Sequence, residues 1–367
     1  MKQKKLIIFM PSIEGGGVEK NLFIISNFLA TKLKNTSLIT ASKSYNPKFK
    51  KLSVINPRIN TEKYPSRRLK YFFCLIELIK ILTFDKNVVL LAFQANLYCA
   101  IICKIFNVDI IVRSNSSPSG WALNFFRRNI FTLLLKIPKK IIVNSKEFQK
   151  EYKEKFQIKT YCIYNPLDIK IIEKKSKEKI KNNFFKNFKD LKIIFIGRLV
   201  DQKDPQTFFK ALKLINNKVK FKAIIVGKGI YFNSMKKYII SNNMKNRVKF
   251  LGWQNNPFKF LRSSDLLVLT SKYEGLPNVL LEAVSLKKFV ISSNCKTGPK
   301  EILDNGKGGE LFKIGDYMDL SNKIIIYSKN KKKYKKKINF AYKRLYSFDY
   351  DINLQMYLKL IKEQIYN

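Results

Sequence analysis

Short runs of apolar residues alternate along the chain with longer segments in which apolar residues recur every three or four positions. The short runs predict buried strands, and the longer segments predict amphipathic helices. In the first half, strands are predicted at Leu6–Met10, Ser37–Thr40, Val88–Ala92, Asp109–Arg113, Ile141–Val143 and Tyr161–Tyr164. Helices are predicted between them at Val18–Leu33, Arg68–Leu82, Ala95–Phe106, Trp121–Leu135 and Lys146–Phe156. This alternation indicates a parallel sheet with helices on both faces.

The same alternation repeats in the second half of the chain. Strands are predicted at Lys192–Ile196, Lys220–Val226, Val248–Leu251, Leu266–Thr270 and Phe289–Ser292. Helices are predicted near residues 205–217, 232–243, 277–285 and 316–328, and a C-terminal helical region is predicted at Asn330–Asn367. A turn at Asn165–Asp168 and a Lys-rich stretch after it indicate a boundary between the halves. The predicted fold class is therefore α/β, with two doubly wound domains at residues 1–168 and 169–346.

The composition limits the class of protein. The chain has 367 residues, of which 46% are apolar, so two domains with sizeable cores can form. It carries 72 Lys and Arg residues against 26 Asp and Glu residues, a formal charge of +46. Such a charge attracts anionic membranes, nucleic acids and anionic substrates, although the base composition of a genome can also enrich Lys. The Lys residues are dispersed, which argues against a nucleic-acid-binding module.

The use of His and Cys narrows the chemistry. The absence of His excludes His-based metal sites and catalysis by Ser–His or Cys–His pairs. The five Cys residues lie mostly in apolar surroundings, which favours reduced core thiols in a cytosolic protein. The apolar run Leu6–Met10 is too short for a signal peptide, and polar residues interrupt the most apolar stretch, residues 88–106. We therefore expect no transmembrane segment.

The stretch from residue 265 to residue 303 contains the strongest candidate site. A strand that ends at Thr270 is followed by a loop and by a helix that Pro277 is expected to start, because Pro suits the first helical position. The loop then brings backbone N–H groups to the positive end of a helix, an arrangement that suits a phosphate. Gly275 allows a ligand to approach the backbone closely.

Two carboxylates, Glu274 and Glu282, flank this anion site. A carboxylate repels phosphate but accepts strong hydrogen bonds from hydroxyl groups, so one acid on each side of a diphosphate fits a sugar nucleotide. The alternative is that Glu274 only favours the helix N-terminus and that Glu282 is a solvated helix position.

A glycine cluster follows the first predicted strand, where residues 14–20 read EGGGVEK. Gly16 and Gly17, between a strand and a helix, let the backbone approach a phosphate. A nicotinamide site is not expected, because Lys20 stands where G-x-G-x-x-G has its third Gly and no acid follows the second strand. A plain tight turn is the alternative.

Two basic residues, Arg198 and Lys203, follow the first strand of the second half. Ligands bind at the carboxyl ends of strands in sheets of this type. The guanidinium of Arg198 is a planar donor fork and the Lys203 ammonium is a movable point charge, a pair that suits a diphosphate. Because the chain has 72 basic residues, the alternative is that this pair has no role.

These motifs together resemble a known family. The sequence E-G-L-P-N-x-L-L-E at residues 274–282, then a strand and G-P-x-E-I-L, resembles the E-x7-E signature of retaining glycosyltransferases of family four, which have the GT-B fold. G-R-L with Lys203 and the glycine loop are also similar to family elements. The resemblance implies two Rossmann-like domains facing a cleft. The first would bind the acceptor and be joined by a C-terminal helix at about residues 347–367, and the second would bind the nucleotide sugar.

The resemblance also implies roles for single residues. Arg198 and Lys203 would hold the diphosphate and offset charge on the leaving nucleotide. Glu282 would bind the ribose hydroxyls, and Glu274 would hold the donor sugar. Three of these residues are the expected catalytic groups: Glu274, Arg198 and Lys203. The other expected donor-binding residues are Gly16, Gly17, Gly275, Leu276, Pro277 and Asn278. No metal and no cofactor are expected, since two cations and a helix end take the place of a metal.

Residues 113–117 depart from the family pattern, because many relatives carry a His in this region, close to the donor sugar. Arg113 and Asn115 are therefore candidate contacts of the acceptor or the donor sugar, with ordinary polarity at a strand end as the alternative. Asn115 can hydrogen-bond a hydroxyl but cannot take up a proton. This fits a front-face retaining reaction, in which the leaving phosphate itself deprotonates the acceptor.

Two stretches of the first domain, Arg67–Phe73 and Phe125–Phe131, combine basic and aromatic residues. Both are candidates to lie on an anionic membrane, and the alternative is that they form amphipathic helices packed on the sheet. We expect a cytoplasmic protein that attaches peripherally to the inner face of the cytoplasmic membrane.

The predicted function is that of a retaining, metal-independent hexosyltransferase. It would move a hexose or an N-acetylhexosamine from a nucleotide sugar, with a UDP-sugar as the expected donor, to a lipid-linked or surface-polysaccharide acceptor. Its expected partners are the donor, a glycan or lipid-linked acceptor and an anionic membrane surface, and nucleic acid is not among them. Two rivals are a GT-B-like nucleotide-sugar epimerase, which needs further acid/base residues, and a non-catalytic basic membrane-surface protein with the same fold.

Overall fold

The computed structural model describes residues 3–59, 66–115, 125–181 and 183–366, with the backbone alone at residues 125–127. The chain divides into two compact units. Unit 1 comprises Met1–Pro166 and Tyr350–Asn367, and unit 2 comprises Leu167–Asp349. The first division falls within the predicted turn at residues 165–168.

Unit 1 is an α/β unit with a seven-stranded parallel sheet. Its elements up to residue 166 are β1 (Lys5–Phe9), α1 (Gly17–Lys32), β2 (Thr36–Ile39), β3 (Ser53–Ile55), α2 (Arg67–Phe84), β4 (Val88–Ala92), α3 (Asn96–Phe106), β5 (Asp109–Ser114), α4 (Phe125–Leu135), β6 (Lys140–Val143), α5 (Lys146–Phe156) and β7 (Tyr161–Cys162). The strand order is β3-β2-β1-β4-β5-β6-β7. The central strands are continuous apolar runs because helices cover both faces of the sheet.

Unit 2 repeats this architecture with a six-stranded parallel sheet. Its elements are α6 (Ile169–Ser176), β8 (Leu191–Ile196), α7 (Pro205–Ile215), β9 (Phe221–Val226), α8 (Phe232–Ser241), β10 (Val248–Gly252), α9 (Phe258–Ser263), β11 (Leu266–Leu269), α10 (Asn278–Ser285), β12 (Phe289–Ser293), α11 (Pro299–Ile302), β13 (Glu310–Phe312), α12 (Tyr317–Lys329) and α13 (Lys335–Lys343). The strand order is β10-β9-β8-β11-β12-β13. The order reverses between β8 and β11, the position at which open α/β sheets bind ligands.

The last helix, α14 (Tyr350–Ile365), completes the core of unit 1. Its buried residues Leu354, Tyr357 and Ile361 share a hydrophobic cluster with α1 and with the β1 residues Leu6 and Ile8. Side chains alternate between the two faces of a sheet, so the β1 residues Ile7 and Phe9 point to the opposite face. That second face of the sheet is covered by α2 and α3.

The predicted α/β class with two parallel sheets is confirmed. The structure adds two strands and three helices that the sequence did not predict: β3, β13, α6, α9 and α11. The two strands lie at sheet edges and have three residues each, too few for an alternation of apolar and polar residues to be recognised. Helix α6 lies in the stretch interpreted as a linker, and the Asp168 side chain caps it by accepting a hydrogen bond from the backbone N–H of Ile171 at 2.8 Å. The predicted start of the helix at Trp121 falls outside the described residues.

None of the helices within the described ranges has both the length and the hydropathy that crossing a bilayer requires.

Candidate functional site

In unit 2, an ion pair between Lys203 and Glu274 joins the loops that follow β8 and β11. The ammonium Nζ contacts the Oε1 atom of Glu274, and the two side chains are only 15% and 8% exposed. Ser271 Oγ donates a second hydrogen bond to the same carboxylate oxygen at 2.5 Å. The aliphatic part of Lys203 runs over Gly197, where an added Cβ would lie 3.7 Å from it. A shielded pair of opposite charges therefore lies at the carboxyl edge of the sheet, where the strand order reverses.

Further hydrogen bonds hold these two loops together. Gln202 Nε2 donates to the backbone oxygen of Tyr273 at 3.2 Å, and the backbone N–H of Lys272 donates to the oxygen of Gln202 at 2.9 Å. Arg198 Nη2 donates to Gln202 Oε1 at 3.3 Å, while the Arg198 side chain stays exposed. The structure thus brings together three of the predicted residues, with the Arg198 guanidinium facing solvent beside the buried pair.

A third loop, after β12, supports the turn that contains Glu274. Thr297 Oγ1 donates a hydrogen bond to the backbone oxygen of Glu274. Gly298 has a φ of +85°, and a Cβ at this position would lie 2.6 Å from Pro277 Cδ and closer still to the carbonyl oxygen of Gly275. Only Gly fits so close to the turn, which fixes the path of the backbone from Glu274 to Pro277.

Helix α10 begins one residue later than predicted. Pro277 has the extended conformation of an N-cap residue, and Asn278 is the first helical residue. Glu282 is 7% exposed, so the alternative of a solvated helix position does not hold. Every residue of α10 from Leu280 to Ser285 is buried, which places the Glu282 carboxylate inside unit 2. A buried acid needs partners, since desolvation of an unpaired carboxylate is costly.

In unit 1, the glycine loop forms the N-terminus of α1. Gly16 is the N-cap residue and Gly17 is the first helical residue. The side chain of Glu19, only 7% exposed, folds back so that its Oε1 atom accepts a hydrogen bond from the backbone N–H of Glu14 at 3.4 Å. A Cβ at Gly16 would lie 2.8 Å from the other carboxylate oxygen of Glu19. Glu19 belongs to the glycine motif but had no predicted role, whereas the structure shows that its side chain supports the loop.

Arg113 lies at the end of β5 and has no exposed surface. Its guanidinium donates hydrogen bonds to Tyr357 at 2.8 Å, to Asn165 at 2.7 Å and to the Oδ1 atom of Asn115. Asn115 Nδ2 donates in turn to the backbone oxygen of Phe93 at 2.9 Å, which fixes the orientation of the amide. The buried Arg113 side chain therefore serves to orient Asn115. A direct contact with a sugar stays a prediction for Asn115, which is partly exposed. Ser116 and Ser117 lie outside the described residues.

The site can now be compared with known proteins. Residues 176–344 match the family described as glycosyl transferases group 1. An uncharacterized glycosyltransferase of Methanocaldococcus jannaschii is 39% identical over 168 residues, which cover 44% of this chain and 41% of that relative. The family match covers less than half of the chain and lies within unit 2, which is therefore similar to the group 1 glycosyl transferases.

Two further comparisons extend over nearly the whole chain. The GalNAc-alpha-(1->4)-GalNAc-alpha-(1->3)-diNAcBac-PP-undecaprenol alpha-1,4-N-acetyl-D-galactosaminyltransferase of Campylobacter jejuni is 27% identical over 376 residues, with 98% of each chain covered. The crystal structure of Anabaena Alr3699/HepE in complex with UDP-glucose superposes with a TM-score of 0.78 at 18% identity, covering 98% of this chain and 100% of that chain. The M. jannaschii alignment spans less than half of that relative, whereas these two support the GT-B fold for the full chain.

The chemistry of the candidate site is set by charge and burial. Burial, with the Glu274 carboxylate nearby, raises the pKa of the Cys295 thiol to about 12, so this thiol stays protonated at neutral pH. Within the ranges that the structure describes, no group of three or more acids and cysteines has metal-binding geometry. The site offers two cations, the Glu274 carboxylate and hydroxyl donors from Ser271 and Thr297. Thr297 meets Glu274 only in the folded unit, whereas Ser271 lies three residues before Glu274 in the same loop.

The Arg113 cluster gives a first testable prediction for unit 1. Replacing Tyr357 by Phe removes the acceptor of the Arg113 Nε–H and leaves a buried charged donor without its partner. We expect the free energy of unfolding of unit 1 to fall by about 1–3 kcal/mol. Thermal and urea unfolding would measure this change.

The control for this substitution is Tyr346→Phe, because the Tyr346 side chain is 72% exposed. We expect a change below about 0.5 kcal/mol for the control. Equal stability of Tyr357→Phe and the wild type would contradict a stabilising role for this hydrogen bond.

Proposed function

We propose that this protein is a group 1 glycosyltransferase and that it is a retaining, metal-independent enzyme. It moves a hexose or an N-acetylhexosamine from a UDP-sugar to a lipid-linked or surface-polysaccharide acceptor. The observation that carries the proposal is the shielded Lys203–Glu274 pair at the carboxyl edge of unit 2, with the exposed Arg198 guanidinium beside it.

In this proposal, Arg198 and Lys203 bind the diphosphate of the donor. A guanidinium presents parallel N–H groups to phosphate oxygens, and the Lys203 ammonium adds a point charge. Negative charge grows on the diphosphate as its bond to the sugar breaks. Two cations fixed before the reaction stabilise that charge without reorganisation, so neither a metal nor a cofactor is part of the proposed mechanism.

Glu274 and Glu282 take the hydroxyl groups at the two ends of the donor. The Glu274 carboxylate is held by Lys203 and Ser271, so it can accept hydrogen bonds from sugar hydroxyls in a fixed orientation. Backbone groups of Gly275 and Leu276, with Pro277 and Asn278 at the start of α10, complete the donor site. Glu282 accepts hydrogen bonds from the ribose hydroxyls. Gly16 and Gly17 of unit 1 contribute backbone groups to the donor phosphates.

The proposed reaction is a front-face displacement. The bond between the anomeric carbon and the phosphate oxygen breaks, and a bond between that carbon and the acceptor oxygen forms on the same face. The acceptor proton passes to the leaving phosphate oxygen, so no protein base is needed, which fits a chain without His. Asn115, oriented by Arg113 and by the carbonyl of Phe93, hydrogen-bonds a hydroxyl of the acceptor or of the donor sugar.

The lipid-linked acceptor and the location are also proposals. The C. jejuni relative is named for an undecaprenol-linked acceptor, which supports a similar acceptor class here. In this proposal the protein is cytoplasmic and attaches peripherally to the inner face of the cytoplasmic membrane. Unit 1 binds the acceptor and unit 2 the nucleotide sugar, while nucleic acid is not a partner.

A panel of sugar nucleotides without acceptor tests the enzyme class. We expect slow hydrolysis of a UDP-hexose or a UDP-N-acetylhexosamine, with the sugar first released in the anomeric configuration of the donor, and no effect of a metal chelator. An assay of released nucleotide measures the hydrolysis, and proton NMR of the first product measures the anomeric configuration of the released sugar. An epimer formed without nucleotide release would identify the rival epimerase. No turnover and no thermal shift with any donor would favour a non-catalytic protein, and initial inversion of the anomeric carbon would contradict the retaining mechanism.

A further inference from the structure

Three neighbouring helices of unit 1, α2, α3 and α4, carry apolar residues on two sides rather than one. One side packs on the sheet through Cys74, Leu78, Leu82, Cys99, Cys103 and Leu135. The other side is exposed and is formed by Phe72, Ile79, Tyr98, Ile105, Ile130 and Leu133. Phe72, Ile105 and Leu133 are 58%, 73% and 66% exposed. Each helix therefore has an outer apolar stripe that the described part of unit 1 leaves exposed.

The three outer stripes point in the same general direction. Helices α2 and α3 share one hydrophobic cluster with Val112 of β5. Leu135 of α4 packs with Ile141 of β6, and Ile141 pairs with Val112 in the parallel register. Paired residues of parallel strands lie on the same face of a sheet, so all three helices cover the same face. Their sides away from the sheet form one surface, which we call the outer face.

The charge of these helices is one-sided. Their sequences hold seven basic residues and one acidic residue, Glu77. Glu77 already pairs with Lys80 at 3.0 Å. Arg68, Lys104 and Arg128 are exposed on the three helices. The exposed surface of these helices thus combines apolar and aromatic side chains with cations, the composition of a surface that lies at the boundary of headgroups and acyl chains in a membrane.

We propose that the outer face of α2, α3 and α4 docks unit 1 on an anionic lipid bilayer. The apolar side chains enter the acyl region, and the basic residues contact phosphate headgroups. A second copy of the chain is the less suitable occupant, because each copy carries a formal charge of +46 and two such faces would repel each other. This inference deepens the proposed function and rests on it for its purpose, which is to bring unit 1 to a lipid-linked acceptor. The sequence alone indicated membrane contact for stretches in α2 and α4 but not for α3.

Co-sedimentation of the full chain with vesicles tests this docking. The vesicles contain phosphatidylcholine alone or phosphatidylcholine mixed with phosphatidylglycerol, at low and at high salt. We expect binding to the anionic vesicles only, weakened by salt. The triple variant Phe72→Ser, Ile105→Ser, Leu133→Ser should bind on the order of 100-fold more weakly, because three apolar groups no longer insert. The pair Arg68→Glu, Arg128→Glu should abolish the preference for anionic lipid.

A matched triple variant in unit 2, Ile230→Ser, Ile240→Ser, Ile326→Ser, is the control, since these side chains are 77%, 59% and 57% exposed. It should bind vesicles as the wild type does. Equal loss in both triple variants, or wild-type binding by the outer-face variant, would overturn the proposal. So would a wild-type dimer in sedimentation velocity that the outer-face variant dissociates, without vesicle binding by either. Hydrolysis of the UDP-sugar without vesicles should be unchanged in the outer-face variant, so failure of the docking is distinguishable from failure of the enzymatic proposal.

Discussion

Replacing Lys203 by Ala is expected to lower kcat for glycosyl transfer by a factor on the order of 100 to 1,000. The substitution removes one of the two cations that we propose stabilise the leaving diphosphate. It also leaves the Glu274 carboxylate, which is 8% exposed, without its ion-pair partner. An interaction that strengthens in the transition state affects kcat more than KM, so the fall in kcat should exceed the rise in KM. Steady-state kinetics with the best donor of the panel measure both constants.

The control for Lys203 lies in the same two loops. Lys272 and Asp201 form an ion pair at 2.6 Å, but their side chains are 43% and 66% exposed. Exposed pairs contribute little, so Lys272→Ala should change kcat by less than about threefold. If Lys272→Ala and Lys203→Ala lost activity equally, the loss would reflect loosened loops rather than the charge of Lys203. The double variant Lys203→Ala, Glu274→Gln separates the two roles of Lys203. It would match Glu274→Gln alone if Lys203 served only to hold Glu274.

Replacing Gly298 by Ala is expected to lower turnover about 100-fold or more and to lower the melting temperature. The new Cβ would lie 2.6 Å from Pro277 Cδ and closer still to the carbonyl oxygen of Gly275, so the turn from Glu274 to Pro277 must move. The displaced atoms are backbone and a proline ring, which cannot rotate away as a flexible side chain can. A shift of about 1 Å in groups that position a substrate can cost about 100-fold in rate. Kinetics and thermal unfolding of the same preparation measure the two effects.

Gly315→Ala is the matched control for Gly298→Ala. Gly315 has a similar φ of +78°, but nothing lies within 4 Å of an added Cβ. Its cost is therefore the backbone conformation alone, about 1–2 kcal/mol, with turnover unchanged. Similar kinetics of the two variants would show that activity does not depend on the close packing of Gly298 against the turn from Glu274 to Pro277.

The sequence predicted the architecture because the information is local. Apolar runs such as Val88–Ala92 become central strands, and capped amphipathic segments become the helices between them. The edge strands β3 and β13 were missed because three residues hold too few alternations to stand out. Helix α6 was missed because its Lys-rich composition resembles that of a linker.

The candidate site was predictable in its residues but not in its contacts. Lys203 and Glu274 are 71 positions apart, and nothing local to either indicates that they pair. The burial of Glu282 had a local signal that the interpretation did not use, because α10 is apolar around most of its circumference, which is typical of a buried helix. Arg113 shows the converse, because its position at a strand end suggested a ligand contact while Tyr357 and Asn165, distant in sequence, enclose it.

The return of α14 to unit 1 has a consequence for biosynthesis. Unit 2 is one continuous segment, Leu167–Asp349, so its core does not depend on the last helix. The core of unit 1 lacks Leu354, Tyr357 and Ile361 until the last helix has left the exit tunnel. Unit 1, which is synthesised first, therefore completes its core last. Until α14 packs on it, the Arg113 guanidinium lacks the hydrogen bond to the hydroxyl of Tyr357.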